Sequence, residues 1–295
     1  MTIPSSVSSG RVMIILAVFL QAVGKVAFGT WLTSVPSNLF VFFSFALTAA
    51  FFLALSRKGV GAPALGALVL LNASTALTFI CFFFALKLIE PAIVGAVEIG
   101  IGPLVVVLIT LLTTGERPSW LRVVVCLGIL AGCAVLAVAA LRGSGFASFG
   151  PSAWLGLGAS VAAGIGAVLI TMSSRALLQR GWKFGAVLAH RFYLILPLSL
   201  ALSLNSDWSS IPWSGSLTAA LLLVAVVSVL APLYLLQMGI GRCDPYTVMV
   251  TMAALPVLTF ALEGFSPAYA WSWPTATGVA VVFGFLLVDV AAKKT

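Results

Sequence analysis

The stretch Ala85-Leu86-Lys87-Leu88-Ile89-Glu90-Pro91, the apolar run after it with Glu98 and Gly102-Pro103, and the closing Gly115-Glu116-Arg117 decide the fold, because their design occurs twice. The second copy reads Gly239-Ile240-Gly241-Arg242-Cys243-Asp244-Pro245, then an apolar run with Pro256, then Glu263-Gly264. In both, an acidic residue and a proline form a turn that opens a hydrophobic segment with a second proline near its middle. Pro91 and Pro103 are 12 residues apart; Pro245 and Pro256 are 11 apart.

Composition says which solvent surrounds these segments. The chain has 295 residues, 62% hydrophobic and 7% charged, with a mean hydropathy of +1.21. A soluble domain is about 25% charged, and a soluble fold of this length cannot hide so much apolar surface, so the solvent is lipid. The net charge of +8 does not mark a nucleic-acid surface, because the bases stand singly or in pairs between apolar runs. Cys81, Cys126, Cys133 and Cys243 form no CxxC pair, and the single histidine forms no cluster. Neither a disulfide framework nor a zinc site is expected, and no cofactor or metal. The N-terminal run from Arg11 past Lys25 to Trp31 lacks a convincing A-x-A cleavage site and reads as a retained first helix.

A membrane-crossing helix needs about 20 apolar residues. Ten runs qualify: 12–31, 36–55, 64–86, 91–113, 120–141, 152–175, 184–204, 215–238, 245–265 and 272–290. They are apolar on every face, as in Leu104 to Leu112, so they lack the alternation of barrel strands, and their backbone groups must be satisfied internally. Loops are short. Trp31, Trp120, Trp154, Trp182, Trp208, Trp213, Trp271 and Trp273 fall near run ends, where interfacial tryptophans belong.

With the N-terminus inside, the cytoplasmic segments hold Arg11, Arg57, Lys58, Arg117, Arg122, Arg175, Arg180, Lys183, Arg242, Lys293 and Lys294, against Lys87 and Arg142 outside. That bias places both termini in the cytoplasm. Five helices per half then turn the second half upside down. The expected fold is an all-α integral membrane protein of ten transmembrane helices in two inverted five-helix repeats, 1–145 and 146–295. Such pseudo-symmetry lets one structure open to either side, as a transporter does.

These residues resemble the drug/metabolite transporter superfamily, in its ten-helix EamA-like exporter form. The resemblance covers nearly the whole chain. It rests on Ala85-Leu86 through Glu90-Pro91, Pro103, Gly115-Glu116-Arg117, Gly128 and Gly132 in the first half, and on Arg191, Asp244-Pro245, Pro256 and Gly278 in the second. The helix-2 arginine common near the position of Ser44 is missing, and Glu263 follows Pro256 by seven residues where Glu116 follows Pro103 by thirteen. In length, and in Lys25 within helix 1, the chain is similar to the aromatic amino-acid exporters of that superfamily. The resemblance implies a cavity walled by helices 1, 3, 4, 6, 8 and 9, in a bacterial inner membrane.

Charged groups at membrane depth face a cavity or one another. Lys25 lies about 14 residues into helix 1, roughly 20 Å from the cytoplasmic side. Glu98 lies seven residues into helix 4, roughly 10 Å from the outer face of a core about 30 Å thick. The two come out at one depth and are expected to share a cavity. They read as a structural ion pair, as the two ends of a site for a zwitterion, or, through Glu98, as a proton-coupling device.

Pro103 cannot donate to the carbonyl of Ile99, and Gly100 and Gly102 loosen the same turn; Pro256 does the same to Met252. Gly102, Pro103 and Pro256 are therefore hinge candidates. Arg191, roughly 10 Å from the cytoplasmic face, either binds an anion, snorkels, or pairs with Asp289, and His190 reads as a hydrogen-bonded core residue. Polar candidates for ligand or interhelix bonds are Gln21, Asn72, Ser74, Thr75, Thr78, Tyr234, Gln237, Tyr246 and Thr251. Phe79, Phe83, Tyr234 and Tyr246 are read as an aromatic wall that suits large neutral amino acids. Gly128-x3-Gly132, Ala159-x3-Ala163 and Gly278 with Gly284 mark close helix contacts inside one bundle, so a functional monomer is expected.

No GxxxxGK[ST], HExxH or GxSxG motif occurs, so neither direct ATP coupling nor enzymatic chemistry is expected. The sequence thus reads as an exporter of small amphipathic metabolites, neutral or aromatic amino acids foremost, in contact with the lipid bilayer and without nucleic acid. Lys25, Glu98, Gln21, Phe79, Phe83, Tyr234, Gln237 and Tyr246 are the expected substrate contacts. A drug or purine-like cargo, or proton antiport, are the alternatives.

Overall fold

The computed structural model describes residues 5–56, 59–86, 88, 91–143, 151–204, 208–263 and 273–292. Arg57, Lys58, Lys87, Glu90, Trp271, Lys293 and Lys294, all used above, lie outside the described residues. The regular structure among the described residues is helical, with no strand. The long helices are α1 (Ser5–Trp31), α2 (Ser37–Leu55), α3 (Leu65–Leu86), α4 (Pro91–Thr114), α5 (Trp120–Gly143) and α6 (Pro151–Gln179). Then come α7 (Phe184–Ala189) and α8 (Ile195–Ser203), followed by α9 (Gly215–Ala225), which runs through a π-helical segment (Val226–Leu230) into α10 (Ala231–Arg242). Last are α11 (Pro245–Met252), α12 (Leu255–Glu263) and α13 (Trp273–Ala292).

Eight of these are long and apolar enough to cross a membrane, the continuous Gly215–Arg242 counting as one. Leu112, Trp120 and Trp273 stand almost wholly exposed on the outside, as lipid-facing side chains do. The chain is a multi-pass, all-helical membrane protein.

Prolines decide where the apolar runs break. Pro256 cannot bond the carbonyl of Met252, and α11 ends at Met252, with Ala253 and Ala254 between it and α12. The run expected over 184–204 breaks in the same way. Pro197 cannot bond Tyr193, and residues 190–194 leave the helix. Pro232 removes the bond to Ser228, which lies inside the π segment. Helix α4 behaves otherwise: it runs unbroken through Pro103, because losing one bond does not end a helix whose neighbours hold it. Helix starts and stops follow from local chemistry. Asp244 caps α11, accepting from the Thr247 N–H at 3.0 Å and the Thr247 hydroxyl at 2.6 Å, with Pro245 in the first turn. Gly115 and Gly181 follow α4 and α6 with φ of 71° and 84°, the left-handed conformation that glycine supplies at a helix C-terminus.

The packing is one of pairs. Helix α3 lies on α6, α1 on α10, and α5 on α13; α4 packs on α5, α6 and α11, while α1 also packs on α11 and α12. Helix α2 packs on α7, α8 and the π segment. Lipid supplies no hydrophobic drive between helices, so small residues set these contacts. A Cβ on Gly128 would meet the Phe285 ring at 2.3 Å, and one on Gly132 would meet Val282 at 2.6 Å and the Gly278 carbonyl at 3.1 Å. The α5 glycines therefore lie inside the bundle against α13. Gly284, expected with them, has nothing within 4 Å of such a Cβ and takes no part. Gly164 makes a close approach of α6 to α4, its Cβ position 2.6 Å from the Glu98 carbonyl.

Candidate functional site

Two glycines place Lys25. A Cβ on Gly24 would stand 2.0 Å from Cβ and 2.6 Å from Cα of Ser228, so α1 touches the π segment at this residue. With Gly24 turned to the π segment, the next side chain leaves on another face. It reaches α4, where the Lys25 ammonium lies 3.9 Å from the position a Cβ would take on Gly95. Glu98 is three residues on, on the same face of α4, and lies within range of the Lys25 charge. Lys25 is exposed and Glu98 half-buried. The tip of the exposed Lys25 side chain therefore rests against α4. The structure thus brings Lys25 and Glu98 together.

Gln21, one turn before Lys25 on α1, is half-buried. Gln237 lies on α10, packed on α1, and is fully buried. Among the described residues neither its Oε1 nor its Nε2 finds a partner. A buried amide without partners costs about 1–3 kcal/mol per lost bond, so this side chain is suited to a water or ligand.

The aromatic wall does not form as one surface. Phe79 meets Phe45 edge-on at 4.5 Å, and Tyr234 stacks on Phe52 at 5.6 Å; both flank the aromatic face of α2. Phe83 is half-buried beside Phe82 at 5.6 Å. Tyr246 is elsewhere: the Arg122 guanidinium lies 5.0 Å over its ring, and its phenol interacts with Asp289. No ring contact among the described residues joins any two of the four. Phe79 and Phe83 share a face of α3, but Tyr234 and Tyr246 lie on α10 and α11, and membrane depth alone does not show which faces meet.

Asp289 also departs from expectation. It pairs with Arg11 at 3.1 Å, both side chains largely buried, and not with Arg191. The pair links α1 to α13, with Tyr246 of α11 and Arg122 of α5 beside it. Arg191, just past α7, is buried, and its Nε donates to the Thr75 hydroxyl at 3.2 Å. Its guanidinium lies 5.8 Å from the centre of the Phe192 ring. His190 is hydrogen-bonded to the Tyr193 hydroxyl and meets the Trp182 ring edge-on at 5.7 Å.

The break in the run over 184–204 was missed, although Pro197 announced it. Asn72 supports that break from α3: its Nδ2 donates to the His190 carbonyl at 2.8 Å and its Oδ1 accepts from the Tyr193 N–H at 3.0 Å. The carbonyl and the N–H at the break are thereby satisfied within the protein. Ser74, Thr75, Thr78 and Thr251 donate to carbonyls of their own helices. Of the hinge candidates, Gly102 faces Met249, whose Sδ lies 3.1 Å from its Cβ position. The middle of α4 therefore meets α11 one turn before the Pro256 break. No cluster of three metal-ligating side chains occurs among the described residues.

Comparison with protein-family models gives no match, and none is found among curated proteins. Among solved structures, 29 chains match. One of them, a crystal structure of a protein with no stated activity, is similar to this chain at 25% identity over 97% of both chains, with a TM-score of 0.77. The likeness shows a shared fold over the full length of the chain.

Proposed function

We propose that this protein is a membrane transporter that exports small amphipathic metabolites, foremost neutral and aromatic amino acids, by alternating access. In this reading α7–α8, α9–α10 and α11–α12 each make one crossing, giving ten. The two halves of five are inverted, and both termini face the cytoplasm of a bacterial inner membrane.

The packing pairs support the inversion. Exchanging each crossing with the one five places along maps the α3–α6 contact onto α1–α10, and the α4–α6 contact onto α1 with α11–α12. The contacts α5–α13, α4–α11 and α2 with α7–α8 map onto themselves. That is the pattern of a two-fold axis, and an odd number of crossings per half makes the axis lie in the membrane plane.

The observation that carries the functional reading is the Lys25 ammonium set against α4 beside Glu98. A cation and a carboxylate on two different helices match the two ends of a zwitterion. Gln237, buried with its amide unbonded, supplies both a donor and an acceptor on α10, which packs on α1. The paired breaks before Pro197 and Pro256 allow the helix ends to move while the long helices stay rigid. The test is uptake into proteoliposomes of labelled tryptophan, phenylalanine and leucine against adenine and a lipophilic cation. Amino-acid uptake abolished by Glu98→Gln supports the reading; uptake of adenine or the cation alone reassigns the cargo. Flux that stops when the proton gradient is collapsed makes the protein an antiporter.

A further inference from the structure

We infer that Arg191 is an anion-binding residue, taking the carboxylate of an organic acid or amino acid at a station separate from Lys25 and Glu98. This rests on the transporter reading for its purpose, but not for its chemistry.

The inference begins with a charge left over. Arg191 is buried, between α7 and α8, which in the proposed topology together make one crossing. A guanidinium there is costly unless it is paired. Every carboxylate whose side chain is described is committed elsewhere or remote. Asp289 pairs with Arg11; Asp244 caps α11; Glu98 lies beside Lys25; Glu116 is exposed at the turn after α4. Among the described residues Arg191 has no acidic partner. Its Nε is held by Thr75, whose own hydroxyl donates to the Leu71 carbonyl at 2.7 Å, so the hydroxyl oxygen is oriented to accept. Thr75 thus fixes one edge of the guanidinium. The two terminal NH2 groups, the fork that grips a carboxylate with two parallel bonds, have no acceptor among the described residues.

The surroundings are built for a fixed cation. The Phe192 ring under the guanidinium stacks on Phe45 of α2 at 5.1 Å, and Asn72 holds the backbone on both sides of Arg191. The residue is thus clamped from α2 and α3 while its fork stays open. On α10, which packs against α7, Gln237 is a second buried group with no partner. Depth separates this station from the first. Counted from the turn joining α3 to α4, Thr75 lies about 16 Å along α3 and Glu98 about 10 Å along α4. Arg191 therefore acts about one helical turn deeper than Glu98.

The experiment uses the purified full-length protein in detergent and two probes, each carrying one end of a zwitterion. Indole-3-acetate has the carboxylate without the ammonium; tryptamine has the ammonium without the carboxylate. Their binding is read by the rise in unfolding temperature. The expected result is that indole-3-acetate stabilises the wild type, and that Arg191→Gln weakens its apparent affinity by about tenfold to a hundredfold, as for lost hydrogen bonds to a charged group. Arg191→Gln leaves the tryptamine response intact, whereas Glu98→Gln abolishes it. Arg191→Lys, which keeps the charge and loses the fork, also weakens indole-3-acetate, and it serves if the glutamine variant does not fold. Equal affinity of wild type and both Arg191 variants for indole-3-acetate overturns the proposal, as does a wild type that responds to tryptamine alone. Carboxylate binding through Arg191 in a protein that moves no tracer would overturn the transporter reading and leave the anion site standing.

Discussion

Replacing Gly24 with alanine puts a methyl group where α1 meets the π segment, next to the lysine on which the proposed site depends. The added carbon would lie 2.0 Å from Cβ of Ser228 and 2.6 Å from its Cα. Carbon pairs rest at about 3.5–4.0 Å, so the two elements must part by about 1.5 Å. A backbone atom is among those met, so no rotamer change relieves the clash. Overpacking of this kind costs about 1–3 kcal/mol, and alanine recovers about 0.5–1 kcal/mol through its better helix propensity. The net loss is about 1–2 kcal/mol, or a fall of about 2–6 °C in unfolding temperature for a chain of this size. The same shift carries Lys25 away from Gly95, so tracer uptake falls as well. Thermal unfolding in detergent and uptake in proteoliposomes give the two readings. Gly158→Ala and Gly284→Ala are the controls, since nothing lies within 4 Å of either added Cβ; both are expected to unfold at or above the wild-type temperature. A Gly24→Ala protein as stable and as active as wild type would refute the reasoning from close approach.

Lys25→Met and Glu98→Gln are each expected to reduce amino-acid uptake by tenfold or more, the effect of losing about 1.4 kcal/mol of binding, while the purified proteins stay folded by circular dichroism. Asp289→Asn breaks the pair with Arg11 and destabilises by about 2–3 kcal/mol, somewhat less than for a fully buried pair; adding Arg11→Gln restores part of the loss in a double-mutant cycle read by thermal unfolding. Asn72→Leu leaves the His190 carbonyl and the Tyr193 N–H without their bonds and costs about 2–4 kcal/mol, again measured by unfolding.

The long helices were legible because a lipid-solvated helix must be apolar over a fixed length, and the ends of α2 to α6 fall close to where the runs end. The end of α11 at Met252 followed from Pro256 by the same covalent logic that, applied to Pro197, would have found the gap between α7 and α8. That Lys25 and Glu98 stand at a similar depth was readable by counting from helix ends. Which way a side chain points around a helix was not. Depth could not separate Phe79 and Tyr234, which flank α2, from Tyr246, which sits with Arg122 and Asp289. Nor could it choose between Arg11 and Arg191 as the partner of Asp289, because that choice depends on which helices become neighbours. Rotation about a helix axis is set by packing, and in these helices, apolar on every face, the sequence carries little of it.

The account depends most on the opposite orientation of the two halves, and cysteine accessibility measures it directly. The turn after α2 and the segment before α9 hold equivalent places in the two halves, with Val60 exposed in the first and Ser210 in the second. In a background with Cys81, Cys126, Cys133 and Cys243 replaced, intact cells are treated with a membrane-impermeant maleimide. Ser210→Cys should label at once and Val60→Cys only after the cells are permeabilised. Labelling of both from the same side would contradict the inverted arrangement, and with it the two-sided site.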